Sequence, residues 1–191
     1  DVVNNPGDPD AGTRRVPFSG VLWIEQDDFR LEPPPKYYRL TPGREVRLRN
    51  AYFVTAVDAV IDDDGHVVQV NCTYDPETRG GNAPDGRKVK STMHWVSAAH
   101  ALDATVKLYD RLFSDSHPGS DGSDPLESLN PTARQVCAAK LEPALSEVKP
   151  GEVVQFERLG YFAADLDDPT VFHRTVGLRD EWANLQKRKK S

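Results

Sequence analysis

Alternation of apolar and polar positions organises this chain, most clearly between residues 44 and 54. At a period of two, Val46, Leu48, Tyr52 and Val54 fall on one side of that stretch, and Arg47 and Arg49 on the other. Valine, tyrosine and phenylalanine suit a pleated strand with one solvated face. The pattern predicts a strand running to about Asp58, continued by residues 57–61 into a hairpin turn at Asp62-Asp63-Asp64-Gly65, with residues 66–74 returning. Similar strand signals cover residues 16–24, 105–113, 134–138, 153–162 and 171–176, and a basic ribbon at 86–90 leads into a core strand ending at Val96. Residues 1–12, 75–85 and 114–124 lack apolar periodicity and are expected as an extended lead-in and two loops. Residues 178–190 are expected to form a frayed helix ending in Lys187-Arg188-Lys189-Lys190, a solvated basic tail.

Fifteen prolines and thirteen glycines cut the 191 residues into short segments, which favours strands and turns over long helices. Hydrophobic residues at 38% and charged ones at 28% predict a folded, soluble protein. No apolar run approaches a membrane span and no signal peptide opens the chain, so no membrane partner is expected. The start at Asp1, without methionine, predicts a piece of something longer. Cys72 and Cys137 are expected as reduced thiols in the cytoplasm.

A net charge of −6 argues superficially against nucleic acid, but its distribution is uneven. Residues 14–49 carry eight basic and five acidic side chains, while residues 55–86 carry seven acidic ones against Arg79 alone. A basic face on an acidic body is compatible with selective RNA binding.

The candidate chemistry lies on the basic side. Charged solvent faces are ordinary, so for Arg47 and Arg49 taken alone solvation is the commoner explanation. Paired guanidinium groups nevertheless match phosphates and the acceptor edge of guanine. Three prolines lead into Lys36, Tyr37, Tyr38 and Arg39, aromatics interleaved with cations. Single-stranded RNA recognition needs a face to stack a base and a charge for its phosphate, although each ring could equally pack in a sheet wall. Arg87, Lys88 and Lys90 are candidate phosphate contacts, and Gln155 and Arg158 are polar groups able to read a base. The aspartates at 62–64 lack EF-hand spacing, and His94 and His100 lack partners at metal spacing. With no phosphate-binding glycine loop and no nucleophile elbow, neither a catalytic nor a metal site is expected.

The order of the segments resembles the carboxy-terminal anticodon-binding region of glutaminyl-tRNA synthetases. The matching blocks begin with Val16-Pro17-Phe18-Ser19-Gly20, Glu45-Val46-Arg47-Leu48-Arg49-Asn50-Ala51-Tyr52 and Cys72-Thr73-Tyr74. They continue with Gly86-Arg87-Lys88-Val89-Lys90, His94-Trp95-Val96-Ser97-Ala98-Ala99-His100-Ala101 and Leu108-Tyr109-Asp110-Arg111-Leu112-Phe113. Gln155-Phe156-Glu157-Arg158 and Arg174-Thr175-Val176-Gly177-Leu178-Arg179-Asp180 complete the series, which covers nearly the whole chain.

The resemblance implies a mainly β protein of two small antiparallel β-barrels of the ribosomal-protein type, with short helices in the connections. The expected division is a lead-in at 1–13, a first barrel at 14–113, a second at 114–182 with strands open to exchange, and the tail at 183–191. It also implies that the barrels grip the anticodon loop of glutamine tRNA, each anticodon base held in its own pocket. By motif position, Arg47 serves the first base, Arg39 the third, a guanine, and Gln155 with Arg158 the central uracil. Arg49 is a further basic contact, with Lys36 and Tyr38 beside Arg39. The chain departs from the family in having Tyr38 where lysine is common, Lys36 where glutamine is common, and Gly7 about where an asparagine contact falls. The resemblance further implies a monomeric class I glutamine–tRNA ligase whose ATP-binding catalytic domain lies before Asp1, leaving this piece no cofactor and no activity of its own. A glutamyl-tRNA synthetase and a stand-alone ribosomal-RNA-binding β-barrel are the alternatives.

Overall fold

The alternating stretch around Arg47 does not run through as one strand; it reverses at Asn50. In the computed structural model, which describes residues 1–178, Asn50 has φ 56°, a left-handed conformation that asparagine tolerates better than most residues. The Ala51 N–H donates to the Leu48 carbonyl at 3.0 Å and the Leu48 N–H to the Tyr52 carbonyl at 2.8 Å, closing a tight turn. The same happens at residues 153–162, where Arg158 has φ 64° and the chain folds back between Phe156 and Gly160. Both stretches are therefore hairpins.

The strands in chain order are β1 (Val2–Val3), β2 (Thr13–Arg14), β3 (Leu22–Trp23), β4 (Glu45–Leu48), β5 (Phe53–Ile61), β6 (Val67–Asp75), β7 (Thr92–Met93), β8 (Val96–Ser97), β9 (Leu102–Tyr109), β10 (Arg134–Leu141), β11 (Val153–Phe156), β12 (Gly160–Ala164) and β13 (Val171–Gly177). Strand accounts for 39% of the described residues, and the described helices are short 3₁₀ turns, so the protein is mainly β. The expected strand at 16–24 is reduced to β3, and the one ending at Val96 to β7 and β8. The helix and tail expected beyond Leu178, with Arg179 and Asp180, lie outside the described residues.

The chain divides into two compact units, Asp1–Ala101 and a second beginning at Leu102. The division was expected after Phe113; it comes earlier because β9 pairs with β10 and β13 in the second unit. The main sheet of the first unit has the order β6-β5-β4-β7, and that of the second β10-β9-β13-β12-β11. Among the described strands, pairing is antiparallel except that β4–β7 and β9–β13 are parallel, so the two main sheets are mixed rather than purely antiparallel, and neither ladder of these strands closes on itself.

Each unit has its own core. In the first, Val46, Leu48, Val54, Ala56, Met93 and Trp95 pack with Phe29 and Leu40. In the second, Val106, Leu141, Phe162, Ala164 and Phe172 do so. Full burial of each larger side chain contributes roughly 1.5–3 kcal/mol. Phe53 is 0% exposed, but it pairs across the ladder with Arg47 and so faces away from that first core. The face carrying Arg47 is thus partly covered rather than simply solvated.

Candidate nucleic-acid interface

Directly paired residues share a sheet face, and the pairs Arg47–Phe53 and Phe53–Asp75 lay one row across β4, β5 and β6. The row is covered by the segment after β6, where Thr78, itself 0% exposed, accepts the Phe53 N–H at 2.8 Å through its hydroxyl. The Arg47 guanidinium carbon lies 5.3 Å from the centre of the Phe53 ring, and that of Arg87 5.4 Å from the same ring. Among the described residues, Arg47 Nε is buried without a hydrogen-bond partner.

Arg87, expected to meet phosphate, is instead committed to carboxylates. It donates to both oxygens of Glu45 at 3.0 Å, to Asp85 at 2.8 Å, and to Asp75. Hydrogen bonds from Arg87 hold the carboxyls of Asp75 and Asp85 below their ordinary range, through its side chain for Asp75 and chiefly its backbone N–H for Asp85. The same bonds, Glu45 foremost, raise the Arg87 pKa further, keeping it charged. Lys88 and Lys90 are exposed.

Arg49 is not on the strand face. It sits in the β4–β5 turn, its N–H donating to the Met93 carbonyl at 2.9 Å and its carbonyl accepting the Trp95 indole N–H at 2.9 Å, with the residue exposed. These bonds pin the turn while leaving the position open to solvent.

Arg39 occupies a second place in the first unit. Its side chain, 25% exposed, donates to the carboxylate of Asp28 at 2.6 Å, and Asp28 is 0% exposed. The Gln26–Asp28 turn that presents Asp28 also supplies the Asp27 carbonyl, which accepts from the Tyr37 hydroxyl at 3.0 Å. Burial raises the Tyr37 pKa, so that hydroxyl stays protonated and donating. Arg44 donates to the Tyr37 carbonyl, fixing the segment's backbone. Lys36 has φ 66° and is exposed, and Tyr38 is 47% exposed with the Lys90 ammonium 4.9 Å from its ring centre. Two candidates far apart in sequence are thereby brought together.

In the second unit, Gln155 is exposed on β11 directly opposite Tyr161, and Arg158 forms the tip of the same hairpin. The two groups expected to share one base thus lie on one hairpin, three positions apart in the chain.

Sequence reasoning missed Phe53 and Asp28. Phe53 has the parity of Arg47, a signal available in advance; Asp28 had none. It also missed Tyr109, His173 and Asp165, which join β9, β13 and the turn after β12 through contacts of 2.6 and 2.7 Å. Asp62, Asp64 and His66 hold ligand atoms within 4.8 Å of one another, all exposed. Asp62 accepts the N–H groups of Asp64 and His66, which accounts for the cluster as turn geometry.

Two family profiles, both described as "tRNA synthetases class I (E and Q), anti-codon binding domain", match residues 1–75 and residues 92–165. The chain is 53% identical to a glutamine–tRNA ligase of Nitrobacter hamburgensis over 97% of its length, covering 33% of that protein. It is 50% identical to one of Rhodopirellula baltica and 49% to one of Bradyrhizobium diazoefficiens, over 96% of the chain and 31% and 33% of those proteins. The chain belongs to this anticodon-binding family. It spans about a third of the length of the curated relatives it matches. The profile boundaries at 75 and 92 leave the covering segment that carries Thr78, Gly81 and Arg87 outside both matches. Among the described residues no helix is long and apolar enough to cross a membrane.

Proposed function

We propose that this chain reads the anticodon loop of glutamine tRNA for a class I catalytic domain of the same polypeptide, which attaches glutamine using ATP in the cytoplasm. The observation that carries this reading is the identity of about half over nearly the whole chain with proteins named glutamine–tRNA ligase. Nucleotide chemistry belongs to the catalytic domain, and one copy of the chain engages one tRNA.

The local geometry supports a division of labour. Arg47, on a rigid strand beside Phe53, suits the edge of the first anticodon base. Arg39, held by Asp28, suits the acceptors of a guanine at the third. The Gln155 amide both donates and accepts, as the edge of uracil requires, with Arg158 at the hairpin tip beside it. Tyr38 offers a ring face, and Lys36, Arg49, Lys88 and Lys90 offer phosphate contacts. The three carboxylates around Arg87 argue against a phosphate role for it. The profile description spans E and Q, so a glutamyl enzyme is the second reading.

Filter binding tests the proposal with glutamine tRNA, the same tRNA changed at its central anticodon base, and glutamate tRNA. Glutamine tRNA is expected to be retained best, with the single change costing about 1–3 kcal/mol. Equal retention of the first two overturns anticodon reading; preference for glutamate tRNA exchanges the amino acid.

A further inference from the structure

An arginine on a strand face ordinarily sweeps a wide volume, because four side-chain torsions separate its guanidinium from the backbone. Three features restrict Arg47. Gly81 lies so close that a Cβ there would stand 3.2 Å from Arg47 Cδ and 3.6 Å from Nε. The Phe53 ring lies beside the guanidinium, and Arg47 Nε is buried with no hydrogen-bond partner among the described residues. Orientation therefore rests on packing. The third feature is Arg87, a like charge on the same ring that would repel Arg47 if it stood alone. Glu45, Asp75 and Asp85 surround it, so the cluster next to Arg47 is net negative and attracts it.

We propose that Gly81 and Arg87 are positioning residues that fix the Arg47 guanidinium against one base edge and so set specificity at that anticodon position. The inference rests on the reading of Arg47 given above. It assigns a function to the covering segment outside both profile matches: a wall for the Arg47 pocket. Discrimination between bases demands donors held within a fraction of an ångström, which a freely sweeping arginine does not provide.

The molecule contains its own control. Gly80 and Gly81 have nearly the same φ, +88° and +90°, open to glycine and costly for alanine, but a Cβ on Gly80 meets nothing within 4 Å. Gly80→Ala and Gly81→Ala thus impose similar backbone strain, and only the second presses on Arg47. The measurement is the ratio of dissociation constants for two glutamine tRNAs differing at the first anticodon base, with Arg47→Ala alongside and Arg87→Lys as a second probe. Gly81→Ala is expected to lower that ratio about tenfold while Gly80→Ala leaves it intact. Arg87→Lys, which keeps the charge and loses the planar fork, is expected to lower it too, and it decides the matter should Gly81→Ala fail to fold. Both Gly81→Ala and Arg87→Lys at the parent ratio, with Arg47→Ala lowered, overturns the positioning role and leaves the anticodon reading standing. Equal losses in the two glycine variants point to general loop strain and overturn it as well. An unchanged ratio in Arg47→Ala removes the assignment of Arg47 itself, and this inference with it.

Discussion

Arg39 has two tasks, and they pull against a simple mutational test. The proposed one is to read a guanine; the structural one is to face Asp28, a carboxylate shielded from water. Removing one partner of a buried ion pair is strongly destabilising because the remaining charge keeps its desolvation cost. Arg39→Ala is therefore expected to lower unfolding stability by about 3 kcal/mol, read from urea midpoints, and also to erase discrimination at the third anticodon base. Arg39→Lys separates the two effects. A lysine keeps a cation near Asp28 but lacks the fork that matches guanine, so stability should largely return while discrimination stays lost. Full discrimination in Arg39→Lys would sink the base assignment, and an unchanged urea midpoint in Arg39→Ala would sink the structural one. Tyr38 and Arg39 were legible as candidates because aromatics and cations interleave there. Asp28 was not, since nothing in residues 25–29 distinguishes one polar turn residue from its neighbours.

Between residues and elements, the hairpins show why alternation located strands better than it located turns. In β4–β5, Val46 pairs with Val54 and Glu45 with Thr55, so facing positions share parity. In β11–β12, Gln155 pairs with Tyr161 and Phe156 with Gly160, again with like parity. A period-two pattern passes through such turns without a break, and only the backbone at Asn50 and Arg158 records the reversal. The turn at Asp62, by contrast, was legible because aspartates and a glycine interrupt the pattern. Element-level stability also has a pH signature in the second unit. Asp165 accepts the Asp167 N–H at 2.9 Å and faces His173 Nε2 at 2.7 Å; those interactions, the backbone bond first, lower its pKa to about 2. A free aspartate titrates near 4, so this group stabilises the fold fully above that value and loses its contribution as pH falls toward 2. Asp165→Asn should unfold at lower urea than the parent at pH 5, with the gap closing by pH 2. A gap constant across that range would mean the carboxylate's charge does not stabilise the fold.

At the scale of the whole molecule, the proposed function asks an acidic protein to meet a polyanion through a small set of cations. Residues 14–49 carry the local basic excess on a chain of net charge −6. Of the candidate cations in the first unit, Arg87 faces three carboxylates and Arg39 a buried one, while Lys36, Arg49, Lys88 and Lys90 are exposed. Each phosphate neutralised on a single-stranded loop contributes about −0.7 to the slope of log K against log salt. Two to four contacts predict a total slope of about −1.4 to −2.8, shallow for a nucleic-acid-binding protein and consistent with affinity held largely by base pockets. Lys88→Ala and Lys90→Ala should each reduce the slope by about 0.7 and weaken cognate and altered tRNAs alike, because phosphates are common to all sequences. Arg87→Gln should behave differently: the slope should stay unchanged, because its charge is already balanced within the protein, while discrimination at the first base falls. Titrations across a range of salt with each variant distinguish these outcomes. A flat profile for the parent would take the basic face out of the RNA interface, and a slope reduced by Arg87→Gln would restore that residue to the phosphate-binding set.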